Sequence, residues 1–382
     1  MTGSAAGTEA LIDEISAIVP CKAPVRAAMR AVPREEFVPA RGLAVFEDGG
    51  PRLIDREQAR ADWLSTVYSD TSIVTQLDDG ATELSKGVGD YTSSASAPST
   101  VASLLHRLDV EAGHHVLEVG TGTGWTAALL SHLVGQHGMV TSIEVDQAVA
   151  AQASKNLAAV GVQANLVTGD GAEGYPQAVP YDRVQATCGI RNVPYPWIEQ
   201  ARPGAVIVMP YCPGFGDGHE LRLVVTSDGV AHGRFPGYAS YMLMRAQRPL
   251  TDEAARSPDE KHWKTTRVDP RTVAFASPGA HLVITALTGL TSAEAADRDE
   301  DGELHRLWLS DPAVPHSWGT VQWRPGADEY EVYQVGDRPL WDEVTEAYFR
   351  WVAWGEPGRS RFGMTVTREG QRIWLDTPDN LI

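Results

Sequence analysis

Apolar side chains recur at helical intervals near the start of the chain, at Leu11, Ile12, Ile15, Ile18 and Val19, and predict a helical segment from Thr8 to about Met29. Pro33 and Pro39 end it. From Arg41 to Gly89 the pattern weakens and acids accumulate, which reads as loops and short helices able to act as a lid. From Val101 the texture becomes regular. Helix "VASLLHRL", strand "HVLEV", helix "WTAALLSHLV" and strand "VTSIEV" are followed by helix "AVAAQASKNLAAVG", strands "ANLVTGD" and "DRVQAT", helix "YPWIEQA" and strand "AVIVMP". This alternation predicts an α/β unit with a doubly wound, mostly parallel sheet.

Beyond Tyr211 the signals turn antiparallel. "ELRLVVTSDGVAHGRF" reads as a hairpin around Asp228-Gly229, and "HLVITAL", "HRLWLS", "GTVQWRP" and "EYEVYQVG" read as short strands. A helix over "LWDEVTEAYFRWVAWG" ends at Gly355, and "RFGMTVTREGQRIWL" closes the chain as a hairpin. Eight of the eleven tryptophans lie from Trp263 to Trp374, so this region has a core of its own. Trp341, Trp351 and Trp354 stand at helical spacing and are expected to pack there. Three parts result: an N-terminal helical cap and lid over 1–92, an α/β ligand-binding part over 93–215, and a mixed α+β part over 216–382, expected to recognise substrate. The linker is "CPGFGDGH" or "ARSPDEKH".

A chain of 382 residues exceeds the usual single core, and 43% hydrophobic with 21% charged residues is a globular composition. No apolar run approaches the ~20 residues of a membrane helix, so no membrane partner is expected. The N-terminus carries early acids instead of a basic start, which predicts a cytoplasmic protein. A net charge of −18 disfavours nucleic acid, and three cysteines without C-x-x-C spacing argue against a disulfide framework or a metal. A basic peptide or a neutral small molecule fits this charge better.

Strand "VLEV" runs directly into Gly120-Thr121-Gly122-Thr123-Gly124-Trp125 and a helix. Glycines tolerate positive φ and let a ligand approach the backbone. A dinucleotide fingerprint needs a glycine where Trp125 stands, whereas E-x-G-x-G-x-G, beginning at Glu118, suits S-adenosyl-L-methionine. Glu118 is then expected near the amino group of that cofactor, through solvent. Glu144, with Val145 beside it, ends a strand and can accept both ribose hydroxyls. Asp170 can accept the adenine amino group while Gly171 leaves room for the ring. Either acid can instead cap the helix that follows it.

Residues 30 to 211 resemble the protein-L-isoaspartate O-methyltransferase family through "VPREEFVP", "YSD", "SSASAPSTVASLL", "VLEVGTGTGWTAALLSHLVG", "GDGAEGYP", "YDRVQATCGIRNVP" and "ARPGAVIVMP". The resemblance implies a Rossmann-like S-adenosylmethionine-dependent methyltransferase fold, places Thr187 at the cofactor and makes Ser96 the catalytic donor to an acceptor carboxylate. Spacing alone also allows Ser96 or Ser94 to cap the helix entered at Pro98. Asp70, Ser94 and Arg191 are expected to bind substrate, although a turn aspartate and an exposed loop arginine are the plainer readings.

The chain departs from the family at Ser93 to Ser96, in the longer stretch from Asp70, in Cys188-Gly189-Ile190-Arg191, and in its long C-terminal part. That part, ending "FGMTVTREGQRIWLDTPDN", is similar to actinobacterial methyltransferases that accompany ATP-grasp ligases in ribosomal (graspetide-type) peptide biosynthesis. This similarity implies methylation of an aspartate in a modified, macrocyclised precursor peptide, closure of the ester to an aspartimide or isoaspartate, and an ATP-grasp ligase as partner. The alternatives are an isoaspartyl repair enzyme and a non-catalytic scaffold that binds the cofactor and recruits peptide and ligase.

Overall fold

The computed structural model describes residues 3–46, 50–249, 261–299, 302–314 and 316–382. The N-terminal rhythm is broken into two helices, α1 (Gly3–Ile18) and α2 (Ala23–Ala31), rather than one. Pro20 lies in the break, where it has no N–H to continue α1, and Pro24 opens α2 at a position where none is needed. Their apolar faces (Leu11, Ile12, Ile15, Val25, Met29) pack with Leu104, Leu105 and Leu129 of the central unit.

The stretch expected as loops and short helices contains one such helix and, where loops were expected, a four-stranded antiparallel sheet. It is built from β1 (Arg41–Val45), β2 (Arg52–Asp55), β3 (Ser72–Leu77) and β4 (Tyr91–Ala95) in the order β2-β1-β3-β4, with α3 (Arg60–Val67) between β2 and β3. Strands of four to six residues show too few alternations to be read from sequence. Ala44, Ile54, Trp63, Val67 and Ile73 form the small core under this sheet.

The central unit follows the expected alternation: α4 (Pro98–Leu108), β5 (His115–Val119), α5 (Trp125–Val134), β6 (Met139–Glu144), α6 (Gln147–Ala159), β7 (Asn165–Thr168), β8 (Tyr181–Ala186), α7 (Pro196–Glu199) and β9 (Ala201–Tyr211). Strands β7-β6-β5-β8-β9 are parallel, the Rossmann-like α/β arrangement. The hairpin β10 (His219–Val225) and β11 (Ala231–Tyr238) extends this sheet antiparallel to β9.

The C-terminal part comprises β12 (Lys261–Thr266), α8 (Pro270–Ala274), α9 (Pro278–Thr288), β13 (Thr291–Asp299), β14 (Gly302–Ser310), β15 (Trp318–Trp323), β16 (Tyr330–Val335), α10 (Leu340–Ala353), β17 (Phe362–Thr367) and β18 (Gly370–Leu375). Strands β12-β16-β15-β14-β13 form a separate antiparallel sheet, whereas β17 and β18 return to β11 and complete a nine-stranded main sheet. The boundary read at 215/216 therefore falls between two paired strands of one sheet. "HLVITAL", read as a strand, lies within α9. Its Leu282 and Val283 join the core of the main sheet and Ile284 joins that of the C-terminal sheet. A helix buried on several sides shows a continuous apolar run with no helical stripe. Trp341 and Trp351 are core residues, while Trp354 is partly exposed. The linker reading "ARSPDEKH" lies mostly outside the described residues.

Candidate functional site

The glycine turn leaves the carboxyl end of β5 with φ of 97° at Gly120, 55° at Gly122 and 90° at Gly124, a backbone that side chains disfavour. Thr187 locks the turn. Its N–H donates to the Val119 carbonyl at 2.9 Å, and its hydroxyl donates to the Gly120 carbonyl. Glu144, at the end of β6, accepts from the Gly122 N–H at 2.9 Å and the Asp146 N–H at 3.0 Å. Asp170 accepts from the Ala172 N–H at 2.9 Å. Asp170 thus makes the capping contact that sequence allowed, whereas the helix after Glu144 is capped by Asp146, whose Oδ1 takes the Ala148 and Val149 N–H groups; Glu144 and Asp170 both line the cavity.

That cavity, of about 330 Å³, is walled by Gly120 to Thr123, Glu144, Val145, Asp170, Gly171 and Thr187 on the sheet side. A Cβ at Gly171 would lie 2.3 Å from Val119 Cγ1, so the bare backbone there keeps the cradle open. Two acids on adjacent parallel strand ends, one placed for a diol and one for an adenine edge, fit S-adenosylmethionine. Glu118 does not reach this wall. It is buried behind it, accepting from Ser142 Oγ at 2.5 Å, and Ser142 in turn meets Thr121 Oγ1 at 2.6 Å. Burial raises the Glu118 carboxyl to about 8. Its expected contact through solvent is replaced by a role under the loop.

Across β4 lies a second cavity, of about 370 Å³, walled by Val45, Ser72, Val74, Tyr91, Thr100 and Ser240 among others. The two cavities share Ser94, Ser96 and Met242. None of the side chains lining the second one is charged.

The serines of "SSASAPST" do not cap α4. Its N-cap is Ala97, without a side-chain bond, and the capping acceptor is Asp70, whose Oδ1 takes the Ser99 N–H at 2.8 Å. Ser72 Oγ accepts the Ala97 N–H at 3.1 Å. Ser94 and Ser96 are thereby left to the cavities. Asp70, expected at the substrate, lines neither cavity and acts on the helix. Arg191 is likewise outside both. Its N–H donates to Gln247 Oε1 at 2.7 Å and its carbonyl accepts from Gln371 Nε2 at 2.8 Å, which ties the loop to the C-terminal part.

Two contributors escaped sequence reasoning. Arg34 is fully buried, and its guanidinium donates to the carbonyls of Val67, Thr71 and Ser96 at 2.8, 2.8 and 2.9 Å, pinning β4 to the turn that holds Asp70. Burial lowers it to about 10, so it stays charged. The second is the segment 239–248, which roofs the cofactor cavity with Met242, Leu243, Met244, Arg245, Ala246 and Arg248. Gly189 makes two backbone bonds to this segment: its N–H donates to Met242 O at 2.8 Å, and its carbonyl accepts from the Met244 N–H at 2.9 Å. Arg245 bridges Asp79 at 2.8 Å and Asp146 at 3.1 Å, and Arg248 adds a contact to Asp79 at 2.9 Å. The roof is thus fastened to both the small sheet and the end of β6. The only signal in the sequence was its two methionines between a tyrosine and an arginine, directly after a predicted hairpin.

Residues 52–228 match the family described as Protein-L-isoaspartate(D-aspartate) O-methyltransferase. Among similar proteins, one from Methanosarcina mazei named Protein-L-isoaspartate O-methyltransferase is 40% identical over 116 residues, 30% of this chain and 48% of its own length. Protein-L-isoaspartate O-methyltransferase 2 from Archaeoglobus fulgidus is 36% identical over 151 residues, 39% of this chain and 67% of its own. The chain thus spans about half to two thirds of these relatives. A solved structure named protein-L-isoaspartate O-methyltransferase superimposes with a TM-score of 0.57 at 22% identity, over 97% of this chain and 100% of that one. It shares the fold, the C-terminal part included.

These findings overturn the similarity to methyltransferases of ribosomal peptide biosynthesis. The relatives are archaeal and bacterial proteins bearing the isoaspartate name, and a C-terminal part of this kind occurs in a protein of that name. The graspetide-type substrate and an aspartimide as its end product lose their ground, and the ligase partner has no other support. With a relative 36% identical aligned over 67% of that relative's length, and the family match over residues 52–228 beside it, the chain belongs to the protein-L-isoaspartate O-methyltransferase family.

Proposed function

We propose that the protein is an S-adenosylmethionine-dependent carboxyl O-methyltransferase acting on isoaspartyl residues in peptides and proteins, the repair alternative named above. The observation that carries it is the meeting of the two cavities at Ser94 and Ser96, one with cofactor chemistry on its walls and the other uncharged. When bound, S-adenosylmethionine supplies a methyl group on a cationic sulfur, which a carboxylate oxygen can take with no proton to lose and no base to assist it. Glu144 and Asp170 would hold the ribose and adenine, and the loop from Gly120 to Gly124 would take the remainder against its backbone.

An isoaspartyl residue presents a free α-carboxylate, ionised at neutral pH. Ser96 donates a hydrogen bond to one oxygen and leaves the other free to react. A lysine or arginine in the second cavity would pair with the carboxylate and blunt it. Once released, the ester can close to a succinimide by attack of the following backbone nitrogen, with loss of methanol, and hydrolysis of the ring yields some normal aspartate. A cytoplasmic location and a role of the C-terminal part in holding the substrate belong to the same proposal. Among the described residues no helix is long and apolar enough to cross a membrane.

The test is incubation with methyl-labelled cofactor and a synthetic isoaspartyl peptide. A base-labile label on that peptide is expected. Label appearing only on unrelated small-molecule acceptors would reject the proposal.

A further inference from the structure

The roof segment brings one more polar group to the place where the cavities meet. Ser240, Tyr241 and Met242 line the second cavity beside Ser94 and Ser96, and Met242 lines the first as well. The Tyr241 hydroxyl is buried, faces the Ser96 side chain, and has no partner in hydrogen-bond geometry. A buried phenol without a partner carries a desolvation cost that a bound acceptor would recover. Its neighbours on that wall are hydroxyls, methyls and a thioether, so a charged acceptor for it has to come from the ligand.

We propose that Tyr241 is a second donor to the acceptor carboxylate, acting with Ser96 on the same, non-reacting oxygen. The assignment rests on the carboxyl methyltransferase reading above. Phenol and serine hydroxyl both donate without a net charge, so together they fix the carboxylate while leaving the other oxygen nucleophilic. Burial pushes the Tyr241 phenol up to about 12, which keeps its proton in place over the working pH range. Tyr241 reaches this point because the ion pairs of Arg245 and Arg248 hold the roof down on Asp79 and Asp146. The acceptor pocket is therefore assembled from two distant parts of the chain, β4 and the segment after β11.

Methylation neutralises the carboxylate, so donors to it stabilise the bound substrate more than the transition state. Removing one should act mainly on KM. The experiment compares wild type, Tyr241→Phe, Ser96→Ala and the double variant, with cofactor Kd by calorimetry, thermal midpoint, and kcat and KM on an isoaspartyl peptide. Tyr241→Phe keeps the ring and is expected to leave cofactor Kd and thermal midpoint unchanged, with KM about 10- to 100-fold higher and kcat within about threefold. The double variant should lose less than the product of the two single losses, because both donors share one oxygen. Wild-type turnover with Tyr241→Phe at wild-type KM overturns the donor assignment alone. A wild-type protein that binds cofactor and leaves the isoaspartyl peptide unmethylated overturns the repair reading, and the assignment with it.

Discussion

At Gly171 the added methyl of an alanine would collide with Val119 Cγ1, which sits on a strand and cannot swing away. Gly171→Ala is expected to weaken cofactor binding by at least about tenfold, measured by calorimetry, since overpacking typically costs about 1–3 kcal/mol. Glu118 makes a separate claim about pH. Its folded carboxyl is raised to about 8 from an ordinary 4.5, so its contribution to stability is present below the lower value and is lost as pH rises through the upper one. Glu118→Gln removes that loss. Its thermal midpoint should exceed that of wild type by a few degrees at about pH 9, and the gap should close toward about pH 5. Equal midpoints at both pH values would show that Glu118 is ionised and paired in the fold.

Among the elements, α4 depends on an acid that is far from it in sequence. Asp70→Ala removes the acceptor of the Ser99 N–H and should cost about 1 kcal/mol of stability, read from denaturant unfolding, with Asp70→Asn losing less. The same helix shows what sequence can convey. "SSASAPST" with Pro98 marks the helix start correctly, yet the serines it offers as caps are turned to the cavities because Asp70 and Ser72 take the capping work. Such a substitution of one acceptor by another is invisible to spacing. The glycine loop, Glu144, Asp170 and Thr187 were legible because strand-end position fixes where they sit. Glu118, Asp70 and Arg191 were misplaced because burial and long-range bonds decide their direction. The role of the roof segment was not legible from its two methionines: it has no periodicity, and its contacts run to residues about 55 to 170 positions away. It is nonetheless testable. Arg245→Ala combined with Arg248→Ala should raise the cofactor dissociation rate several-fold and abolish its dependence on salt, the expected size for partly exposed ion pairs.

Over the whole molecule, the C-terminal part and the central unit share one sheet. Phe362, Met364 and Val366 of β17 lie in the same core as Leu117, Ile207 and Leu223 of the parallel strands and their extension. A chain cut after residue 249 would leave the edge of β11 unpaired and that core open, so it is expected to aggregate rather than fold as a free methyltransferase domain, checked by circular dichroism and light scattering. The composition made the second core legible through its tryptophans, but the return of β17 and β18 to the first sheet needs contacts that no local pattern encodes. The fold thus assembles from β4 and the segment after β11 the uncharged wall proposed to present an isoaspartyl carboxylate to the cofactor. The most direct measurement is kcat/KM for methylation of one linear peptide made twice, with isoaspartate or with normal aspartate at the same position. A preference of at least about a hundredfold for the isoaspartyl form is expected, the scale of loss when a carboxylate is misplaced by one methylene in a built site. Equal rates, or a preference for normal aspartate, would contradict it.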